Sequence, residues 1–196
     1  MTSTRTTRRR TLDALAFEQA GYFSAAQAIA VGYSYQAQKY HVDAGNWVRI
    51  DRGIFRLRGW PLGSDDVYVR WTLWSGGRGV VSHDSALAVH GLSDVDPAKL
   101  HLTVPTGFFA VDELIVLHAG HVSENDLESR HGWAVTTPLR SLLDAAGSDA
   151  SQEQLDRAVA DALRIGLITR RRVLRATSNA ADRVALRLER ALARNS

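Results

Sequence analysis

Residues 34–57 read SYQAQKYHVDAGNWVRIDRGIFRL, and this stretch decides the fold of the N-terminal part. Ser34 stands where a helix cap belongs, Tyr35 to Ala44 contains no breaker, and Gly45-Asn46 closes the run with residues that tolerate a left-handed backbone. The period then changes. Trp47 to Ile50 and Ile54 to Leu57 read as two short strands about the glycine-containing turn Asp51-Arg52-Gly53, so a helix feeds a β-hairpin. Upstream, Leu12, Leu15, Ala16, Phe17 and Ala20 recur at helical spacing from Thr11 until Gly21. Ser24 then caps a short helix over Ala25 to Val31 that Gly32 ends.

Three helices, the last two joined by a tight turn at Gly32-Tyr33, followed by a hairpin, give the outline of a winged helix-turn-helix. In that arrangement the third helix enters the major groove and the hairpin reaches the neighbouring backbone. The residue types fit such a role. Tyr35, Gln36, Lys39 and Tyr40 fall on the third helix and Arg49, Arg52 and Arg56 on the hairpin, with Ser24 and Ser34 at the two helix starts. Gln pairs with adenine, Lys and Arg reach guanine edges or phosphates, and hydroxyls bond phosphates. Gln38 is open between base contact and packing against the second helix, whereas His41 is expected in the core.

Charge supports the same division. Residues 1–60 carry nine Lys+Arg against four Asp+Glu, residues 61–160 six against 14, and residues 161–196 nine against three. Basic ends attract phosphates, and an acidic middle suits solvent or a protein partner. Arg170, Arg171, Arg172, Arg175, Arg183, Arg187, Arg190 and Arg194 give the tail a basic character at partly helical spacing. With no cysteine, the chain has no disulfide, thiolate zinc site or cysteine nucleophile. No apolar run approaches membrane-spanning length, and Arg8-Arg9-Arg10 leads into an amphipathic stretch, so a cytoplasmic protein without membrane contact is expected.

Pro61-Leu62-Gly63-Ser64 has linker composition, which places a boundary near residue 61: a DNA-binding domain over 1–60 and a second domain over 61–196. In the latter, Val67 to Trp74 reads as a buried helix, and Ser82 as the cap of a helix ending at Gly91. Lys99 to Pro105 and Glu113 to His118 read as strands. Thr137-Pro138 and Ser151 open two further helices. The expected class is α+β, a winged helix-turn-helix followed by a mixed α/β domain.

The run Gly21-Tyr22-Phe23-Ser24, with Ala26-Gln27-Ala28, Gly32-Tyr33-Ser34, Gly45-Asn46-Trp47 and Arg49 to Leu57, resembles the N-terminal domain of the AbiEi antitoxin family. Val81 to Val95, Leu100 to Pro105 and Val135 to Asp144 resemble its second domain. The resemblance implies an antitoxin of a type IV toxin-antitoxin or abortive-infection system that counteracts a nucleotidyltransferase-like toxin and represses its own operon. The wing motif carried over is Arg49, Arg52, Gly53 and Arg56. Gln38 and His41 depart from the family, where these positions are often apolar.

Signals for an enzyme are weak, and no cofactor or metal is expected. His83-Asp84-Ser85 has triad letters, but such close residues on a helix point to different sides. His118 and His121 offer two ligands without a matching set. In Gly63-Ser64-Asp65-Asp66 the carboxylates are adjacent and diverge. A nucleic-acid-processing enzyme, or a regulator unrelated to a toxin, is the alternative reading.

Overall fold

The computed structural model describes residues 2–94 and 96–195; Val95, which ends one of the family-like stretches, lies outside them. The chain is a mixed α+β protein with two sheets. It divides into two units: Met1–Gly79 with Ser129–Trp133, and Val80–Glu128 with Ala134–Ser196.

The first unit begins with α1 (Thr2–Phe17), which starts nine residues before the expected Thr11 and ends short of Gly21. The extra turns are Thr- and Arg-rich and carry no apolar rhythm. Strand β1 (Tyr22–Ser24) follows, then α2 (Ala25–Val31) and α3 (Tyr35–Asp43). The start of α2 is fixed reciprocally: the Ser24 hydroxyl accepts from Gln27 N at 3.1 Å, and the side-chain Oε1 of Gln27 accepts from Ser24 N at 2.8 Å. Gly32 ends it at φ 103°, a left-handed conformation that favours glycine.

Strands β2 (Trp47–Asp51) and β3 (Ile54–Leu57) form the expected hairpin, with a bulge between Arg49 and Asp51. A third strand, β1, was too short to read from the sequence; it pairs antiparallel with β3 and makes that strand central. Leu12, Ala16, Phe23, Ala28, Tyr33, Trp47 and Phe55 form the core beneath.

Helix α4 (Asp66–Trp74) belongs to this unit, so the division falls at Gly79/Val80 rather than near residue 61. The Pro61–Ser64 stretch is a loop inside the unit. Beyond it α4 returns onto β1 and β3, burying Val69, Trp71 and Leu73.

In the second unit, β4 (Val80–Val81), β5 (Leu100–Val104), β6 (Ile115–Ala119), β7 (Leu127–Ser129) and β8 (Ala134–Thr136) make a sheet of order β6-β5-β4-β8-β7. It is mixed: β4 runs antiparallel to β5, while β5·β6 and β4·β8 are parallel. Helices α5 (His83–Val89), α6 (Pro138–Gly147), α7 (Gln152–Arg164), α8 (Arg170–Thr177) and α9 (Asp182–Arg194) complete the unit. Leu87, Leu142, Leu155, Val159, Leu188 and Leu192 are fully buried among them, each stabilising by about 1.5–3 kcal/mol. Ser82 precedes α5 as expected, but its hydroxyl makes no cap bond; it accepts from Thr103 Oγ1 at 2.8 Å.

Candidate nucleic-acid interface

Helix α3 is held from beneath and bare above. Its Ser34 hydroxyl accepts from Ala37 N at 3.3 Å and keeps a proton to donate outward. Tyr35 and Tyr40 are 73% and 60% exposed, and Gln36 and Lys39 share that exposure. Lys39 reaches Asp43 at 2.7 Å, but a surface pair of this kind is worth only about 0.2–1 kcal/mol, so the ammonium is available to a stronger anion.

Gln38 takes the opposite part. It is 3% exposed, and its amide donates to Ala25 O at 3.2 Å and Tyr33 O at 3.1 Å. Its place among candidate DNA contacts is therefore corrected: its side chain faces inward and ties α3 to the ends of α2. Ser24 is corrected likewise, because its hydroxyl serves the half-buried capping box. His41 packs on the core side, its ring stacked on Trp47 with centroids 4.6 Å apart. Burial, reinforced by Arg5 and Arg9, pushes its pKa below the ordinary histidine range.

On the hairpin, Arg49 and Arg52 are exposed. Arg49 lies over the Phe55 ring at 5.6 Å, which steadies its stem without occupying its donors. Asp51 accepts from Arg52 N at 2.6 Å, and Gly53 follows at φ 74° to close the turn. Arg56 does not join them. Its guanidinium lies 3.4 Å from the Asp66 carboxylate, with the two side chains only 15% and 13% exposed. Tyr22 OH donates to the same carboxylate at 3.2 Å, and burial together with Asp66 raises the pKa of that phenol. The sequence placed Arg56 on the wing surface because α4 was assigned to another domain; α4 covers that face. A second pair, Arg70–Asp51 at 2.8 Å, anchors the turn and holds the Asp51 pKa below the usual carboxylate range.

The arginines of α1 were missed as site residues. Arg8 donates to Gly32 O at 2.8 Å and lies over the Tyr33 ring, so it braces the turn before α3. Only a helix longer than the apolar rhythm revealed would have exposed this.

The second unit holds another concentration of polar chemistry. In the parallel β5·β6 register His101 faces Val116, which puts His118, two residues on, upon the same face. His118 Nε2 and His101 Nδ1 are 3.2 Å apart, and the His83 ring stacks on His118 at 3.4 Å. Burial is the main cause that lowers the pKa of His83 to about 3 and of His118 to about 4. Stacked rings send their in-plane lone pairs along parallel planes. Consistent with this, no group of three or more His, Asp or Glu among the described residues is arranged to hold a metal ion. The triad letters disperse too: the Ser85 hydroxyl accepts from His101 N at 2.9 Å and Asp84 accepts from Gln154 at 3.2 Å. Asp66 of the 63–66 motif sits in the ion pair with Arg56.

No helix among the described residues is long and apolar enough to cross a membrane. No family model matches the chain, and no curated protein matches it. Among solved structures the chain is similar to the RV2827C protein from Mycobacterium tuberculosis, with 15% sequence identity, a TM-score of 0.61, and coverage of 97% of this chain and 78% of that one, a likeness of fold.

Proposed function

We propose that the first unit is a winged helix-turn-helix that binds duplex DNA, and that the chain is an AbiEi-like antitoxin repressing its own operon. The observation that carries the DNA reading is the two-sidedness of α3. Gln38 and His41 fasten one side, while Ser34, Tyr35, Gln36, Lys39 and Tyr40 stand exposed on the other, beside a hairpin bearing Arg49 and Arg52. Such a helix offers hydrogen-bonding side chains to base edges, and the hairpin offers guanidinium groups to phosphates. The antitoxin part rests on the stretches from Gly21 to Leu57, Val81 to Val95, Leu100 to Pro105 and Val135 to Asp144 that resemble the family. In this reading the second unit faces a nucleotidyltransferase-like toxin or its target, and the protein catalyses no reaction.

Fluorescence anisotropy on the DNA upstream of its own gene, against scrambled DNA of equal length and across salt, tests the first part. Sequence-preferring binding with a steep salt slope is the expected result; weak, sequence-blind binding would make the unit a protein-binding module. Co-expression with the nucleotidyltransferase-like toxin that this reading implies, in a growth-rescue assay, tests the second part, and absence of rescue would remove the antitoxin reading.

A further inference from the structure

Behind α3 the first unit contains a cleft of about 880 Å³. Its walls come from α1 on one side and from the C-terminal end of α3 with the start of the hairpin on the other. Arg5, Arg8 and Arg9 project from one face of α1, and Arg58 stands across from them. Asp13 is the carboxylate of this lining, and it lies 3.5 Å from Arg9 Nε. The floor is aromatic: Tyr33 and Trp47 are buried, with His41 stacked on Trp47, and the rings left open to a ligand are those of exposed Tyr40 and of half-buried His41 and Trp60.

We infer that this cleft binds a mononucleotide or a closely similar flat, anionic ligand. The volume lies within the roughly 300–1,000 Å³ typical of small-molecule sites. Positive charge in excess around an aromatic floor selects a ligand with an acidic group at one end and a flat ring at the other. Arg8 is fixed at the wall of the cleft, its Nη1 donating to Gly32 O at 2.8 Å. The charge is carried by arginine; burial, with the neighbouring Arg5 and Arg9, lowers the His41 pKa below the ordinary histidine range. The inference is independent of whether α3 engages DNA, although Tyr40 and His41 line the cleft from that helix and would couple its occupant to it.

Isothermal titration calorimetry of the full chain with GMP, AMP, CMP and UMP tests the inference, with guanosine and orthophosphate as separate arms. At least one nucleotide is expected to bind with Kd of about 10–100 μM, the range a ligand of this size reaches at ordinary efficiency. Guanosine and orthophosphate are each expected to bind at least about tenfold more weakly than the nucleotide, because each satisfies only half of the site. The double variant R5Q/R9Q changes two exposed side chains and keeps the fold, checked by thermal melting. It is expected to weaken the nucleotide about tenfold or more. Absence of nucleotide binding by the folded protein at millimolar concentration would overturn the inference. So would orthophosphate binding as tightly as the nucleotide, nucleotide binding unchanged in R5Q/R9Q, or a loss in R5Q/R9Q confined to duplex DNA.

Discussion

The two ends of the chain are both rich in arginine, yet they use it differently. At the C-terminal end, Arg187 donates to the carbonyls of Ala146, Ser148 and Ala150, and Arg194 reaches Asp156 at 2.7 Å. Those guanidinium groups close the α6–α7 loop and bind α9 to α7. At the N-terminal end Arg56 is also tied inward, while Arg8 and the exposed Arg58 donate to the carbonyls of Gly32 and Gly45 and so brace the turn and hairpin in which Arg49 and Arg52 remain exposed. Residue counts cannot separate these uses; the acceptor each guanidinium meets does. Substitutions at inward arginines are therefore expected to appear in stability, and at outward ones in binding.

The largest effect is expected at the inward pair of the first unit. Arg56→Ala leaves the Asp66 carboxylate buried without its cation and is expected to destabilise by about 3–5 kcal/mol in urea denaturation, with Arg56→Met/Asp66→Leu recovering much of the loss. An equal loss of DNA affinity with no loss of stability would instead place Arg56 outward and reverse the comparison.

Acid separates the units next. The His83 and His118 pKa values of about 3 and about 4 lie below the unfolded value of about 6.5, so between these limits the unfolded chain binds more protons and stability falls as pH falls. Halved for solvent screening, the two rings together are expected to cost about 3 kcal/mol between pH 6.5 and pH 4. Thermal melts of His118→Gln across this range should be flatter than those of the parent; parallel curves would remove the histidines as the cause.

Arg187→Ala is expected to cost about 2 kcal/mol, because it strands carbonyls at the α6–α7 loop. Chemical denaturation measures the loss, and unchanged DNA binding would mark the C-terminal arginines as internal fastenings. The smallest stability effect, under about 0.5 kcal/mol, is expected for Arg49→Gln/Arg52→Gln. That variant should nevertheless flatten the slope of log affinity against log salt by about 2, one unit for each phosphate that no longer meets a guanidinium. Gln36→Ala should leave that slope intact and relax sequence preference, which a panel of single-base operator variants would reveal.

Local signals carried much of the fold. Ser24, Ser34 and Thr137 cap α2, α3 and α6 where capping chemistry placed them, and the hairpin follows its alternation and glycine turn. What stayed hidden depends on long-range packing. Strands β1, β4, β7 and β8 have two or three residues each, too few to show a period. Gln38 and Arg56 look like surface residues until Ala25 and α4 close over them. The three histidines come from α5, β5 and β6, so nothing in their immediate sequence brings them together. In the proposed interface, Tyr35, Gln36, Lys39, Tyr40, Arg49 and Arg52 are where the pattern put them, while α1 contributed arginines that no apolar rhythm announced.

The hairpin strand β3 is held between β1 and β2, and its outer face is pinned to α4 through Asp66. An element fixed on every side has little motion left to lose when it meets a ligand. Its consequence lies in time rather than in affinity. If the proposed interface engages DNA without reordering the hairpin, association should run at the electrostatically assisted rate, rising steeply as salt is lowered. Variants at the contact surface should then differ mainly in how long the complex lasts, a distinction that stopped-flow association and competitor-chase dissociation would measure separately.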